Sequence, residues 1–300
     1  GLRRLAPQAG PGHRRGVDIQ GPEGAVIPAT TSPRTRIRPL RGAVAALCAS
    51  IFLFGAPAQG AEDADAPPSA RRLASVEEQA QWTAIGRVNS GGRGYCTGTL
   101  ISPIHVITAA HCVINSRTGR MWRPTSIHFV AGFRKGGFAA HRVASAVAIL
   151  DPDQPRPSGH LAALSYVPRD LAILRLGRAI SADEVTPLPL ADPGARSGEA
   201  VRVLSYGRDR PQALSIEDLC PITSRRGDVL FTRCEATPGV SGAPLVRLGP
   251  DGGRDGAAVL GVVSIMTLGD IAAGEVRLGT GSAAAVAADR LAPVLIEDLE

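Results

Sequence analysis

The sequence predicts an all-β protein, a sandwich or barrel of short strands, followed by a C-terminal helix. From about residue 76, short apolar or alternating runs are separated by Gly, Pro and Asp, a spacing typical of all-β folds. The final stretch, SAAAVAADRLAPVLIEDLE, is rich in Ala and Leu and is expected to end in a helix despite Pro293. With 300 residues, 44% of them hydrophobic, the chain can form one large or two ordinary domains.

The strands of this fold are expected in eight runs of sequence. The segment GPDGGRDGA (249–257) lies between the last two runs and predicts a hairpin tip. We find no internal repeat in the sequence and expect no stable membrane span. The eight runs are GTLIS, HVITAA, SIHFVAGF, HRVASAVAIL, DLAILRL, EAVRVLSYG, APLVRL and AAVLGVVSI.

Residues 1–58 are predicted to be an N-terminal extension with an export signal. RTRIRPLR (34–41) is basic, GAVAALCASIFLF (42–54) is apolar, and APAQGA (56–61) offers small residues for cleavage after Ala58 or Ala61. The apolar run is shorter than the roughly 20 residues that span a bilayer. A buried core helix is the alternative. We expect an exported protein, periplasmic or extracellular, with Cys48 removed in the signal and residues 59–75 as a flexible leader.

The distribution of charge argues against a nucleic-acid partner. Residues 1–58 hold eight Arg against Asp18 and Glu23, which accounts for the whole formal charge of +6. Residues 59–300 hold 25 basic and 25 acidic residues, so their net charge is zero. They offer no global field that would attract a polyanion.

Four cysteines remain after the signal, an even number that predicts two disulfides in an exported chain. Three pairings are possible. Pairing of cysteines that are close in sequence closes two loops, and in the chain-entropy model each such disulfide stabilises the folded state by about 3 kcal/mol. A metal site is disfavoured because there is no C-x-x-C and because a His adjacent to a Cys is poor geometry for joint chelation. We expect no metal and no cofactor. The four are Cys96, Cys112, Cys220 and Cys234.

Three residues could perform chemistry together. His111 precedes Cys112, and a disulfide from Cys112 to Cys96 would fix the backbone that a catalytic imidazole needs. Asp170 begins an apolar strand, where a desolvated carboxylate needs a partner such as an imidazole N–H. Ser241 lies in EATPGVSGAPL, among residues with little or no side chain.

Each of the three also has an ordinary explanation: a core histidine, a strand-start cap and a turn serine. Their order, His, Asp, Ser, in a disulfide-bearing β protein instead favours nucleophilic catalysis in the chymotrypsin arrangement. The N–H groups of Gly239 and Ser241 would then suit an oxyanion.

The segments TAAHC, DLAILRL and PGVSGAPL resemble the three signature segments of trypsin-like serine peptidases. The resemblance covers roughly residues 76–292 and is closest to the bacterial exported branch that includes glutamyl endopeptidase-like proteins. It implies two antiparallel six-stranded β-barrels with the active site in the cleft between them. The peptidase domain would span 76–300, with barrel one at about 76–182 and barrel two at about 183–292.

The resemblance also implies a function and the residues that perform it. Ser241 would be the nucleophile, His111 its base and Asp170 the residue that orients the histidine, with Ser264 bound to Asp170. A secreted serine endopeptidase of this kind would cleave proteins or peptides through an acyl-enzyme, and we expect a monomer. The alternative is a catalytically inactive binding or regulatory protein on the same fold.

The sequence departs from the family pattern around the nucleophile. Val240 stands where digestive members have an Asp that pairs with a cleaved N-terminal ammonium. We therefore expect a loop organised by Pro238, Pro244 and a Cys220–Cys234 link, and activity that needs no defined N-terminus.

The resemblance also places three residues near the substrate cleft, but they give less information about cleavage specificity. Glu235 is either a pocket floor or a surface residue. Val263 replaces the pocket histidine of glutamyl endopeptidases, and Met266 would narrow the pocket mouth. Together these positions favour a small or mid-sized apolar residue in the substrate.

Overall fold

The computed structural model describes residues 71–92, 94–151, 166–235, 237–268 and 277–300. The predicted N-terminal extension, its export signal and the leader up to residue 70 lie outside these ranges. In the described part of the chain, no helix is both long enough and apolar enough to cross a bilayer. We number its strands and helices in chain order: β1 (Arg72–Leu73), α1 (Val76–Gln81), β2 (Ile85–Ser90), β3 (Gly94–Leu100), β4 (His105–Thr108), β5 (Ile127–Ala131), β6 (Ala140–Ile149), β7 (Ala172–Leu176), β8 (Ala200–Ser205), β9 (Ser215–Arg226), β10 (Val229–Thr232), β11 (Pro244–Arg247), β12 (Ala258–Leu268), β13 (Arg277–Ala287) and α2 (Leu291–Glu297).

The first barrel is a closed antiparallel sheet in the order β2-β3-β4-β7-β6-β5. Its strands are short and rich in β-branched residues, which pack well on a pleated surface. Large apolar side chains fill the interior of the barrel, as is usual in a small barrel. Fully buried examples are Val88, Leu100, Val106, Phe129 and Leu174.

The second barrel has the strand order β8-β9-β10-β13-β12-β11, and pairing of β11 with β8 closes it. All of its strand pairs are antiparallel. Ala283 to Ala287 of β13 are buried, so this strand packs through small side chains. The structure thus confirms the predicted all-β fold class with two six-stranded barrels.

The segment before the first barrel departs from expectation. Residues 71–75, which the sequence assigned to a flexible leader, are part of the fold: β1 pairs with β9 and Arg71 is buried. The Ser75 side chain accepts the Glu78 N–H, while the Glu78 carboxylate accepts the Ser75 N–H. This capping box satisfies two backbone donors and starts α1.

The C-terminal end agrees with expectation. Residues 249–257 connect β11 to β12 as a hairpin tip, closed by a hydrogen bond from Gly249 N to Gly253 O. The chain ends in α2, and Pro293 lies in its first turn, where a backbone N–H has no partner within the helix in any case.

Candidate active site

His111 lies in a single 3₁₀ turn, Ala110–Val113, directly after β4. Its neighbour Cys112 forms a disulfide with Cys96 of β3, with the two Cα atoms 6.0 Å apart. The turn is therefore covalently attached to the adjacent strand. Cys96, His111 and Cys112 also form a cluster of potential metal ligands, but the two sulfurs are bonded to each other and offer no thiolate.

Asp170 is fully buried, and four donors satisfy its carboxylate. Oδ1 accepts the His111 backbone N–H at 2.8 Å and the Tyr166 hydroxyl at 3.3 Å. Oδ2 lies 2.8 Å from His111 Nδ1 and accepts the Ser264 hydroxyl at 2.5 Å. A buried carboxylate needs such complete pairing because its desolvation is otherwise very unfavourable.

These contacts define the tautomer of the His111 ring. An ionised carboxylate only accepts hydrogen bonds, so we assign the proton of the ring to Nδ1. Nε2 then carries a lone pair and can accept a proton. The His111 side chain is 26% exposed, so part of the ring is accessible from outside the fold.

The serine loop (residues 237–243) is bound to the first barrel through Thr97, which is fully buried. The Thr97 N–H donates to the Ser241 carbonyl at 2.9 Å, and its hydroxyl donates to the Gly239 carbonyl at 3.0 Å. A Cβ at Gly242 would lie 2.3 Å from the Thr97 carbonyl oxygen. Only glycine, here with φ of +77°, allows this approach.

The other side of the serine loop is bound to β12. Gly242 N–H donates to the Val263 carbonyl at 2.7 Å, and the next residue, Ser264, is the one that donates to Asp170. Ser241 is thus connected to Asp170 through Gly242 and the Val263–Ser264 backbone. The chain segments that carry the three predicted catalytic residues meet between the two barrels.

The backbone N–H groups of the serine loop differ in whether they are paired. Val240 N–H donates to the Thr237 carbonyl at 3.0 Å, and Ala243 N–H to the Val240 carbonyl at 2.8 Å. Within the described residues, the N–H groups of Thr237, Gly239 and Ser241 have no hydrogen-bond partner. The N–H groups of Gly239 and Ser241 lie on either side of Val240 and are available for a ligand oxygen.

The remaining predicted residues lie around the base of this loop. A disulfide joins Cys220 of β9 to Cys234, with Cα atoms 5.3 Å apart. Val263 is 2% exposed and packs in the core of the second barrel with Val240 and Ala243, while its backbone carbonyl accepts the Gly242 N–H. Met266 lies on β12 opposite Ala283, and its side chain is outside the described part of the structure.

Glu235 is half-exposed and belongs to a charged cluster that the sequence did not indicate. Its carboxylate lies 3.3 Å from Arg71 Nη2, and its N–H donates to the Glu217 carboxylate at 2.9 Å. Burial raises the pKa of the Glu217 carboxyl to about 7. Arg71 and Glu217 have no motif around them, so only the folded chain reveals this cluster.

Comparison with known proteins gives matches in sequence and in fold. A family model described as a trypsin-like peptidase domain matches residues 96–252. Serine protease 23 of Homo sapiens is 29% identical over an alignment of 168 residues that covers 49% of this chain and 42% of that protein. The protein of the same name from Macaca mulatta is 28% identical over the same length. The chain thus spans less than half the length of these relatives.

A solved structure, that of a Glu endopeptidase in complex with MPD, has the same fold. It matches with a TM-score of 0.57 at 15% identity and covers 78% of this chain and 97% of that one. The family match covers more than half of the chain and includes His111, Asp170 and Ser241. With its two six-stranded barrels, the chain belongs to the trypsin-like serine peptidase family.

Proposed function

We propose that this protein is a serine endopeptidase in which Ser241 is the nucleophile, His111 the general base and Asp170 the residue that orients the histidine. The observation that carries the proposal is the buried Asp170 carboxylate, which contacts both His111 Nδ1 and Ser264 Oγ. Ser264 in turn neighbours the carbonyl that holds the serine loop.

The reaction follows from this arrangement as an acyl transfer. Ser241 Oγ attacks the carbonyl carbon of a peptide bond, and Nε2 of His111 accepts the hydroxyl proton. Asp170 stabilises the imidazolium that forms, and it keeps the ring in one tautomer. The N–H groups of Gly239 and Ser241 hold the negative oxygen of the tetrahedral intermediate, a contribution of about 3–4 kcal/mol per donor.

The intermediate then collapses to an acyl-enzyme. The C–N bond breaks, and the leaving amine takes the proton from His111 Nε2. Water attacks the ester carbonyl with the same histidine as base, and the intermediate releases a carboxylic acid and the free Ser241 hydroxyl. No metal or cofactor is needed in this sequence of steps.

The setting of this activity is also part of the proposal. The two disulfides, Cys96–Cys112 and Cys220–Cys234, favour an oxidising compartment, in agreement with the export signal expected in residues 1–58. We propose an exported monomer, periplasmic or extracellular, that acts on proteins or peptides and has no nucleic-acid partner.

A fluorophosphonate probe tests the proposal against the inactive binding protein. Ser241 Oγ would attack phosphorus, fluoride would leave, and His111 would take the proton. We expect labelling of the disulfide-bonded protein that disappears in Ser241→Ala and His111→Ala. The control is Ser116→Ala, since Ser116 is an exposed turn residue. A folded protein that takes no label would support the binding protein instead.

A further inference from the structure

Arg71 is a buried cation that precedes the first strand. Its side chain is only 1% exposed. The strand that follows, β1, pairs with β9, with Arg72 opposite Ile216 and Leu73 opposite Ser215. This pairing fixes the backbone beside Arg71 on the second barrel, so the position of the side chain is determined by the fold.

The Arg71 guanidinium joins two separate segments of the second barrel. Nη2 donates to Asp209 Oδ2 at 2.7 Å, in the segment that follows β8. The same nitrogen donates to Glu235 Oε1 and to Thr237 Oγ1, each at 3.3 Å, where the chain enters the serine loop. Arg71 therefore holds the base of the serine loop against the segment after β8.

The segment after β8 and the start of the serine loop together determine the backbone conformation of Gly239. Arg208 N–H donates to the Pro238 carbonyl at 2.7 Å, and the Thr237 carbonyl accepts the Val240 N–H at 3.0 Å. The backbone of Gly239 packs so closely that an added Cβ would lie 3.0 Å from Arg208 N. A shift of either segment would consequently change the direction of the Gly239 N–H.

The charges around Arg71 explain why the cation is needed. Asp209 and Glu235 contact it directly, and the buried Glu217 carboxylate accepts the Glu235 N–H. Arg210 also contacts Asp209, at 3.5 Å, but from a more exposed position. Without Arg71, the partly exposed carboxylates of Asp209 and Glu235 would face each other at the base of the loop with no cation between them, and like charges at close range repel.

Only one nitrogen of the guanidinium makes these contacts. Arg71 Nε and Nη1 are buried and have no hydrogen-bond partner in the described part of the chain. The interaction is thus that of one positive donor with several acceptors, and it does not use the planar fork of arginine. A lysine ammonium can supply the same kind of contact, while a methionine of similar length cannot.

We propose that Arg71 is a positioning residue for the serine loop. The positive charge of Arg71 keeps the N–H groups of Gly239 and Ser241 directed at one point. The inference rests on the proposed peptidase activity and adds to it a requirement for the segment that precedes the first barrel. Arg71 touches no substrate in this account. It acts through Thr237, Glu235 and Asp209.

The test compares three variants of the full chain in hydrolysis of an activated ester and a peptide. For Arg71→Met we expect kcat to fall about 10- to 100-fold, less than the roughly 10²–10³-fold cost of losing one oxyanion donor outright, with KM little changed. Arg71→Lys should recover most of the lost kcat. The matched control is Arg72→Met. Arg72 is the next residue, lies in β1, is exposed and binds Glu78 and Asp218.

The outcomes separate the inference from the proposed function. If the natural sequence neither hydrolyses substrate nor takes the fluorophosphonate, the peptidase proposal fails, and this inference fails with it. If it is active and Arg71→Met keeps its kcat, only the role of Arg71 is refuted. A folded Arg71→Lys variant as slow as Arg71→Met would also refute it, because charge would then not be the cause.

A milder variant covers the case in which Arg71→Met does not fold. Thr237→Val removes one acceptor of Nη2, together with the hydrogen bond that the Thr237 hydroxyl donates to Asp209, without removing any charge. We expect a smaller fall in kcat, about threefold to tenfold, at an unchanged melting temperature. An unchanged kcat in Thr237→Val would then count against the positioning role.

Discussion

Ser264 Oγ donates a 2.5 Å hydrogen bond to Asp170 Oδ2, the same oxygen that lies 2.8 Å from His111 Nδ1. A residue of β12 in the second barrel therefore takes part in orienting a histidine of the first barrel. Since the neighbouring Val263 carbonyl binds Gly242 of the serine loop, this contact couples the two halves of the site.

Asp170→Asn should abolish most of the activity without unfolding the protein. Both oxygens of the Asp170 carboxylate accept hydrogen bonds, whereas an asparagine amide has one oxygen that accepts and one NH₂ group that donates. His111 would therefore lose the contact that fixes its tautomer. We expect kcat to fall about 10⁴-fold, as for the equivalent change in a catalytic triad. Steady-state kinetics with a melting curve checks this, and a fall below tenfold would contradict the role of Asp170.

Ser264→Ala should affect both stability and rate. It removes one of the two donors to Asp170 Oδ2 in a fully buried position, and such charged hydrogen bonds contribute about 1–3 kcal/mol. Denaturant unfolding measures the stability, and ester hydrolysis measures kcat. Ser116→Ala, at an exposed site, is the control. Equal stability of the two variants would show that the Ser264 contact is not significant.

Gly239→Ala should inactivate the enzyme through backbone displacement. Gly239 has φ of +97°, and an added Cβ would lie 2.5 Å from the Tyr206 carbonyl oxygen. We expect kcat to fall about 10²–10³-fold because an oxyanion donor is misplaced. Gly252→Ala is the matched control, since Gly252 has φ of +71° but open space around its Cα. It should lose stability only, and equal activity of the two variants would contradict the account.

Glu217 should make stability depend on pH. Its pKa in the folded protein is raised to about 7 from an ordinary value of 4.5, mainly by burial, so the folded state binds a proton that the unfolded state has released. The stabilisation is therefore complete below pH 4.5 and is lost as the pH rises to about 7. Melting curves across this range should show the loss in the natural sequence and a smaller one in Glu217→Gln. Identical pH profiles would refute the assignment.

Activity should not depend on a particular free α-amine. Val240 is buried in the core of the second barrel and carries no charge that could pair with one. Chains beginning at Gln59, Glu62 or Ala66 all keep Arg71 and should have kcat/KM values within about twofold of each other. High activity confined to one of these starting residues would contradict the prediction.

The sequence was most informative where the hydrophobic pattern and the chemistry coincided. DLAILRL and HVITAA became β7 and β4, which flank Asp170 and His111, because apolar runs bounded by turn residues specify buried strands. Five strands are missing from the prediction: β1, β2, β9, β10 and β13. β1 has only two residues and β9 is interrupted by polar residues, so neither has a clear apolar pattern. In β13 the alanines that suggested a helix fit a strand that packs against close neighbours.

The parts of the site that could not be predicted depend on contacts distant in sequence. Thr97 and Tyr166 carry no motif, yet they bind the serine loop and Asp170. Arg71 lies 138 positions before Asp209, and no periodicity connects them. The Ser75–Glu78 capping box is the exception: S-x-x-E was visible in the sequence and would have marked the start of α1.

The most direct test of the central claim is to trap the acyl-enzyme. The protein is mixed with an activated ester, quenched in acid and digested, and the peptides are examined by mass spectrometry. The account predicts an acyl group on Ser241, formed in a burst and absent in Ser241→Ala and His111→Ala. Turnover that persists in Ser241→Ala, or an acyl group on another residue, would contradict it.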